Sequence, residues 1–235
     1  MKTPLEIILD SANIAEIEKC NRRFALAGVT SNPTIIKKEG RLDFYPHFRK
    51  IREIIGENKS LHIQTLGATT EEMLAEARAV LAGVDGRVYI KIPVTEPGLE
   101  AIKTLAGGGV NVTATGIYTR MQAYLAAAAG ARCLAPYCNR MEQMGIDFRA
   151  IIAEVSGVLA RAGSPAKIVA ASFKNITQAT DALAAGAAAV TMTPGILHSA
   201  CDFAPIGLAV RDFHADWVSS QGADARLAIP LPGPL

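Results

Sequence analysis

The stretch VYIKIPV, residues 88–94, is apolar on both of its alternating faces except for Lys91. A β-rich run without polar alternation describes a strand covered on both sides, as in a parallel sheet under helices. An ammonium buried in such a strand is costly unless a counter-charge meets it, or burial lowers its pKa until the neutral amine is populated. Lys91 therefore either snorkels to a rim, pairs with a carboxylate, or serves as an amine nucleophile.

Working outward from that run, short β-rich stretches alternate with helical ones along the whole chain. Strands are predicted at 5–10, 27–31, 61–66, 88–94, 110–115, 132–138, 167–172 and 188–193. Helices are predicted near 12–24, 41–56, 69–83, 95–107, 119–129, 146–162, 175–185 and 195–218, with start signals in DSAN (10–13) and GATTEE (67–72). Gly56, Gly83, Gly130, Gly163 and Gly186 fall at helix ends, where a left-handed residue is expected. Eight β/α units without a linker predict a single-domain (β/α)8 TIM barrel over residues 1–235, with a C-terminal helix. A doubly wound open sheet has the same alternation. The proline-rich tail, about 219–235, is expected to lie across a neighbouring subunit, because Ile229, Leu231 and Leu235 would otherwise form an exposed patch.

Of the 235 residues half are hydrophobic, and 24 Lys plus Arg against 22 Asp plus Glu leave a net charge of +2. No basic run points to nucleic acid, and no apolar span is long enough for a bilayer. Cys20, Cys133, Cys138 and Cys201 form no CxxC pair or dense framework, which suits small buried thiols in a reducing cytoplasm. Cys133 and Cys138 are expected on opposite faces of one strand.

A barrel carries its chemistry at the C-terminal ends of its strands. Those ends supply Asp10, Thr30 with Asn32, Gln64, Lys91, Thr115, Tyr137 with Arg140, Ser172 with Lys174, and Thr191 with Thr193. Each has a plain structural alternative: Asp10 as an N-cap, Thr30 and Asn32 in an Asn-Pro turn, Gln64 as a satisfied amide, Tyr137 as a packed ring with its hydroxyl at the rim, Thr115 as an ordinary β-former, Arg140, Ser172 and Lys174 as solvated loop residues. Their convergence on Lys91 is what argues for chemistry. Lys91 would be the nucleophile, Asp10 and Tyr137 would move protons, and Gln64 with Thr115 would hold a water. Arg140, Ser172, Lys174 and the free N–H groups of the next helix would bind an oxyanion or phosphate. His62 lies on the same face as Gln64, one layer deeper, as a core-filling or supporting group.

No GxGxxG, GxxxxGK[ST], HExxH or GxSxG string is present, and His47, His62, His198 and His214 are scattered. No metal and no cofactor is called for.

GVTSNPTII (28–36), VYIKIPVTEPGLEAI (88–102), APYCNR (135–140) and AASFKN (170–175), with LD at 9–10, resemble the small transaldolases and fructose-6-phosphate aldolases over nearly the whole chain. The resemblance implies that Lys91 forms a Schiff base, that Asp10, Thr30, Asn32, Gln64, Thr115 and Tyr137 surround a ketose, and that Arg140, Ser172 and Lys174 take its phosphate. Glutamine at 64 and tyrosine at 137, rather than glutamate and phenylalanine, imply the aldolase, which releases dihydroxyacetone and an aldehyde such as glyceraldehyde 3-phosphate. The alternatives are a transaldolase that holds the three-carbon unit for an acceptor, a variant acting on a sulfonated sugar, and a sugar-phosphate binding protein without catalysis. The segment MEQMGIDF (141–148) is shorter and poorer in glycine than in the aldolases, and Arg120 is expected on the loop after the fifth strand, flanking the site for the acceptor or anion. The partner implied is a small sugar phosphate, with neither nucleic acid nor membrane, and the assembly implied is a homo-oligomer, a pentamer or decamer.

Overall fold

The computed structural model describes residues 5–224. Eight parallel strands close on themselves in chain order: β1 (Glu6–Asp10), β2 (Leu26–Thr30), β3 (Ser60–Gln64), β4 (Tyr89–Pro93), β5 (Val112–Ile117), β6 (Cys133–Pro136), β7 (Lys167–Ala170) and β8 (Ala189–Met192). β8 returns to β1, pairing Thr191 with Ile8 and Met192 with Leu9, so the barrel is closed and the open-sheet alternative is excluded.

The helices between strands are α1 (Ile14–Arg23), α2 (Pro33–Ile36), α3 (Phe44–Ile55), α4 (Thr70–Gly83), α5 (Glu96–Gly107), α6 (Arg120–Ala128), α7 (Cys138–Gln143), α8 (Phe148–Arg161) and α9 (Ile176–Ala184). Their starts are chemically marked. Asn13 accepts from the N–H of Glu16 at 2.9 Å, and Thr69 with Glu72 forms a reciprocal capping box, each device typically contributing ~1 kcal/mol.

The apolar side chains segregate into two layers. On β4, Ile90 and Ile92 are fully buried in the cluster under the helices, while Tyr89 and Lys91 alternate to the inside of the barrel. The inner layer below the site is thin, built from Ile8, Cys133, Val169 and Ala189 with Ala27 and Tyr89 against it. At the strand starts Lys167 pairs with Glu6 at 2.5 Å. The chemical groups thus collect at the opposite, C-terminal end.

Four local expectations are corrected. β6 stops at Pro136, and Cys138 opens α7, so Cys133 and Cys138 do not share a strand; Cys133 faces the barrel interior and Cys138 the helix layer. Gly83 does not hold a left-handed conformation as Gly56, Gly130, Gly163 and Gly186 do; it is the last residue of α4, and a Cβ there would collide with the Tyr45 ring. Arg120 begins α6 and is ion-paired with Glu154 of α8, so it belongs to the outer ring of helices. The helix expected at 195–218 is two helices, α10 (Pro194–Ser199) and α11 (Ala204–Gln221), because Phe203 is extended and Pro205 starts a new helix in its first turn.

The chain divides into two compact units, one through Leu197 and one from His198. The second contains α11, which carries the exposed apolar side chains Ile206, Leu208, Val210 and Phe213. Most of the tail expected to cross a neighbouring subunit, residues 225–235, lies outside the described residues. No helix among the described residues is long and apolar enough to cross a membrane.

Candidate active site

A cavity of about 320 Å³ opens among the strand ends of the barrel unit, within the size range of small-molecule clefts. Asp10, Asn32, Gln64, Lys91, Tyr137, Arg140 and Ser172, all expected from the sequence, line its wall.

Lys91 is 5% exposed, and its ammonium or amine nitrogen donates to the carbonyl oxygen of Ser31 at 3.0 Å. In register it faces Gln64 on β3 and Thr113 on β5. Burial pushes its pKa down, opposed by the charge of Asp10; burial likewise pushes the Asp10 carboxyl up, opposed by Lys91, the Thr30 hydroxyl and Lys38. The two groups are thus poised to trade a proton at modest cost. Thr30 donates to Asp10 at 2.6 Å and lies 2.6 Å from Thr191, which fixes the carboxylate from behind. Asp10 is no N-cap, since Asn13 caps α1.

Thr115, 1% exposed, donates to the phenol of Tyr137 at 3.0 Å. Thr30 and Thr115 are thus supports of the wall rather than parts of it. Asn32 caps α2, its side chain accepting from the N–H of Ile35 at 3.1 Å, and it also lines the cavity.

At the rim, Arg140 stands on α7 with its guanidinium 5.0 Å from the centre of the Tyr137 ring, and it donates to Tyr118 at 3.4 Å. Ser172 has φ of 62°, rare for a residue with a Cβ, and its carbonyl accepts from the N–H of Asn139 at 2.9 Å. The buried amide of Gln178 ties this corner together: its nitrogen donates to Asn139 at 3.2 Å and to Glu142 at 2.6 Å, and its oxygen accepts from the Lys174 N–H at 2.8 Å. Strained backbone held from several sides is a feature that clusters at functional turns. Lys174 itself is exposed and does not line the cavity, and its backbone N–H and that of Gln178 are already engaged.

The structure adds groups that the motifs did not single out. Pro33, Thr34 and Ile35 of α2 wall one side, and Ala171 and Thr191 close another. Thr191 was visible as a strand-end hydroxyl, whereas the Ser31 carbonyl and Ala171 carry no sequence signal. Nothing in the arrangement needs more than an amine, acids, hydroxyls and a cation: it can form an imine with a carbonyl compound, move protons about it, and hold an anion.

Comparison with known proteins agrees with that chemistry. The family model described as Transaldolase/Fructose-6-phosphate aldolase matches residues 7–221. A protein of Streptococcus pneumoniae (strain ATCC 700669 / Spain 23F-1) named "Probable fructose-6-phosphate aldolase" is 44% identical over 219 residues, covering 93% of this chain and 99% of that one. A solved structure described as "Native KDPGal structure" superposes with a TM-score of 0.58 over 82% of this chain and 83% of that chain; at 16% identity it speaks to the fold alone.

Proposed function

Because this chain belongs to the transaldolase/fructose-6-phosphate aldolase family, we propose that it is a class I aldolase that cleaves and forms a ketose phosphate resembling fructose 6-phosphate through a Schiff base on Lys91. The observation that carries this reading is the buried amine of Lys91, its pKa held down by burial, in one cavity with Asp10, Gln64 and Tyr137.

The neutral amine attacks the C2 carbonyl, and the carbinolamine loses water to give the iminium. Asp10, beside the amine, returns and removes the protons these steps need. The iminium draws electrons from the C3–C4 bond, which breaks as the C4 hydroxyl loses its proton; an aldehyde phosphate departs and a dihydroxyacetone enamine remains. Tyr137, partnered by Thr115 and by a water held with Gln64, takes that proton and gives one to C3 of the enamine. Hydrolysis consumes the water released earlier and frees dihydroxyacetone. Arg140 and Ser172 take the phosphate, with Asn32 lining the ketose end and Thr30 acting there only through Asp10, which it holds in place.

The assembly is a homo-oligomer, a reading supported by the apolar side chains exposed on α11, and pentamer and decamer are the expected states. Cys20, Cys133 and Cys138 are buried as thiols rather than joined in disulfides, which supports a cytoplasmic location.

The test is a coupled assay with fructose 6-phosphate, with and without erythrose 4-phosphate, alongside borohydride trapping with dihydroxyacetone. Acceptor-independent release of dihydroxyacetone, and its mass on the peptide containing Lys91, are the expected results. Turnover only with the acceptor selects the transaldolase, and the absence of any adduct on Lys91 overturns the Schiff base.

A further inference from the structure

Directly beneath Lys91 lies a histidine that the aldol chemistry does not use. His62 is 1% exposed, and its ring stacks on Tyr89 with centroids 4.5 Å apart. Its Nδ1 lies 2.8 Å from the Thr113 hydroxyl. His62 is on β3 and Thr113 on β5, so this bond spans the intervening β4 on the inside of the barrel, between the inward residues Tyr89 below and Lys91 above. Burial first, then the charges of Lys91, Lys167 and Arg52, hold the imidazole uncharged. Thr113 also bonds the Cys133 thiol, whose pKa burial pushes up to about 11. In the tautomer with the ring proton on Nδ1, which donates to Thr113 while the Thr113 hydroxyl turns to Cys133 Sγ, Nε2 is an acceptor.

Among the described residues, two buried side-chain polar atoms have no protein hydrogen-bond partner: His62 Nε2 and Gln64 Oε1. They stand two residues apart on the inward face of one strand, flanking the base of Lys91. Buried polar atoms of this kind are normally satisfied, and one water with two such acceptors is the simplest occupant.

We propose that His62 is a positioning residue that, with Gln64, holds the water which hydrolyses the Schiff base from the floor of the cavity. The step balances: water oxygen bonds to C2 of the iminium, both of its protons pass in turn to the Lys91 nitrogen, and the C–N bond breaks to leave ketone and ammonium. His62 orients the water and ends the step unchanged. The inference rests on the Schiff-base reading above and assigns to it a group outside the proton-transfer set of Asp10 and Tyr137.

Because formation of the iminium is the reverse of its hydrolysis, a residue that places this water must change both rates by one factor and leave the equilibrium untouched. The test uses the full-length protein loaded with dihydroxyacetone, with borohydride quenches during loading and after dilution, read by mass spectrometry. In His62→Phe, which keeps a ring against Tyr89 but has no Nε2, formation and decay of the trappable adduct should both slow, roughly 10-fold for one lost hydrogen bond. The adduct level at equilibrium should stay that of the wild type, and His62→Gln, which keeps an acceptor, should recover most of the rate. If the phenylalanine variant does not fold, Thr113→Val, which removes the partner of Nδ1, is expected to give the same paired slowing. Unchanged rates in a folded variant, or an altered equilibrium level, would make His62 a core-filling ring and overturn the proposal. No adduct in the wild-type protein strikes instead at the Schiff base itself.

Discussion

Thr115 donates its hydroxyl proton to the phenol oxygen of Tyr137 at 3.0 Å, which leaves the phenol's own proton free to be directed into the cavity beside Lys91. Two hydroxyls, one on β5 and one just beyond the end of β6, thus act as one unit. Tyr137→Phe removes the hydroxyl, and with it that proton and the acceptor of Thr115. Release of free dihydroxyacetone should fall about 10²-fold, the lower range for a general acid. Borohydride trapping on Lys91 should persist, because the amine and Asp10 are untouched; its loss would mean that Tyr137 acts before the iminium forms.

The pH dependence of trapping tests the coupling of Asp10 to Lys91. Burial lowers the Lys91 pKa and the Asp10 charge raises it. Asp10→Asn deletes the raising influence, so the midpoint at which the amine becomes nucleophilic should move to lower pH. Turnover should nonetheless fall by about 10²-fold, because a proton carrier is lost. A midpoint that moves upward would show that the carboxylate does not act on the amine as a charge.

Arg140 is a surface cation whose place is set by the Tyr137 ring, 5.0 Å away, and by Tyr118. Arg140→Ala should raise KM for the phosphorylated ketose by roughly 10-fold, a charge-assisted hydrogen bond discounted for its exposure. Dihydroxyacetone trapping, which involves no phosphate, should be unchanged. Equal losses for both ligands would place Arg140 at the reacting carbons instead.

Lys91→Met should abolish turnover and melt at or above the wild-type temperature. The unfolded chain holds the lysine proton more tightly than the folded one, since burial lowers the folded pKa. Wild-type stability is therefore penalised below the folded pKa and recovers as pH rises toward the ordinary lysine value. The advantage of methionine should shrink over that same rise, which thermal melts at neutral and alkaline pH can follow. A variant that melts several degrees lower at neutral pH would indicate that the Lys91–Asp10 pair is net stabilising.

Gly28 tests the barrel itself. A Cβ on this β2 residue would land on the hydroxyl and carbonyl of Ser60 in β3. Gly28→Ala should cost ~1–3 kcal/mol in urea unfolding, the usual penalty for overpacking, and wild-type stability would mean that the two strands separate without cost.

Much of this was legible in the chain. The β/α alternation and the two-faced burial of VYIKIPV predict parallel strands under helices, and the polar residue at nearly every strand end predicts where the chemistry collects. Asp10, Gln64 and Lys91 were readable because each interrupts an apolar strand, and an interruption with a desolvation cost requires a reason. The start of α4 was readable in GATTEE, and the structure shows the capping box of Thr69 and Glu72 behind that signal. Arg120 was misplaced because a loop arginine and a helix-start arginine paired to Glu154 look alike until α8 is brought alongside. The break before α11 was obscured because Pro205 can kink a long helix or start a new one.

The sequence by itself determined the periodicities, hence the strands, the helices and the short list of groups that must meet, because local patterning and desolvation cost are properties of neighbours along the chain. Only the tertiary structure decided closure of the barrel, the left-handed turn at Ser172, the withdrawal of Thr30 and Thr115 behind the wall, the exposure of Lys174, and the His62–Thr113 bond across β4. Each of these depends on contacts between residues far apart in sequence, whose register is set by the closing of eight strands and by nothing local.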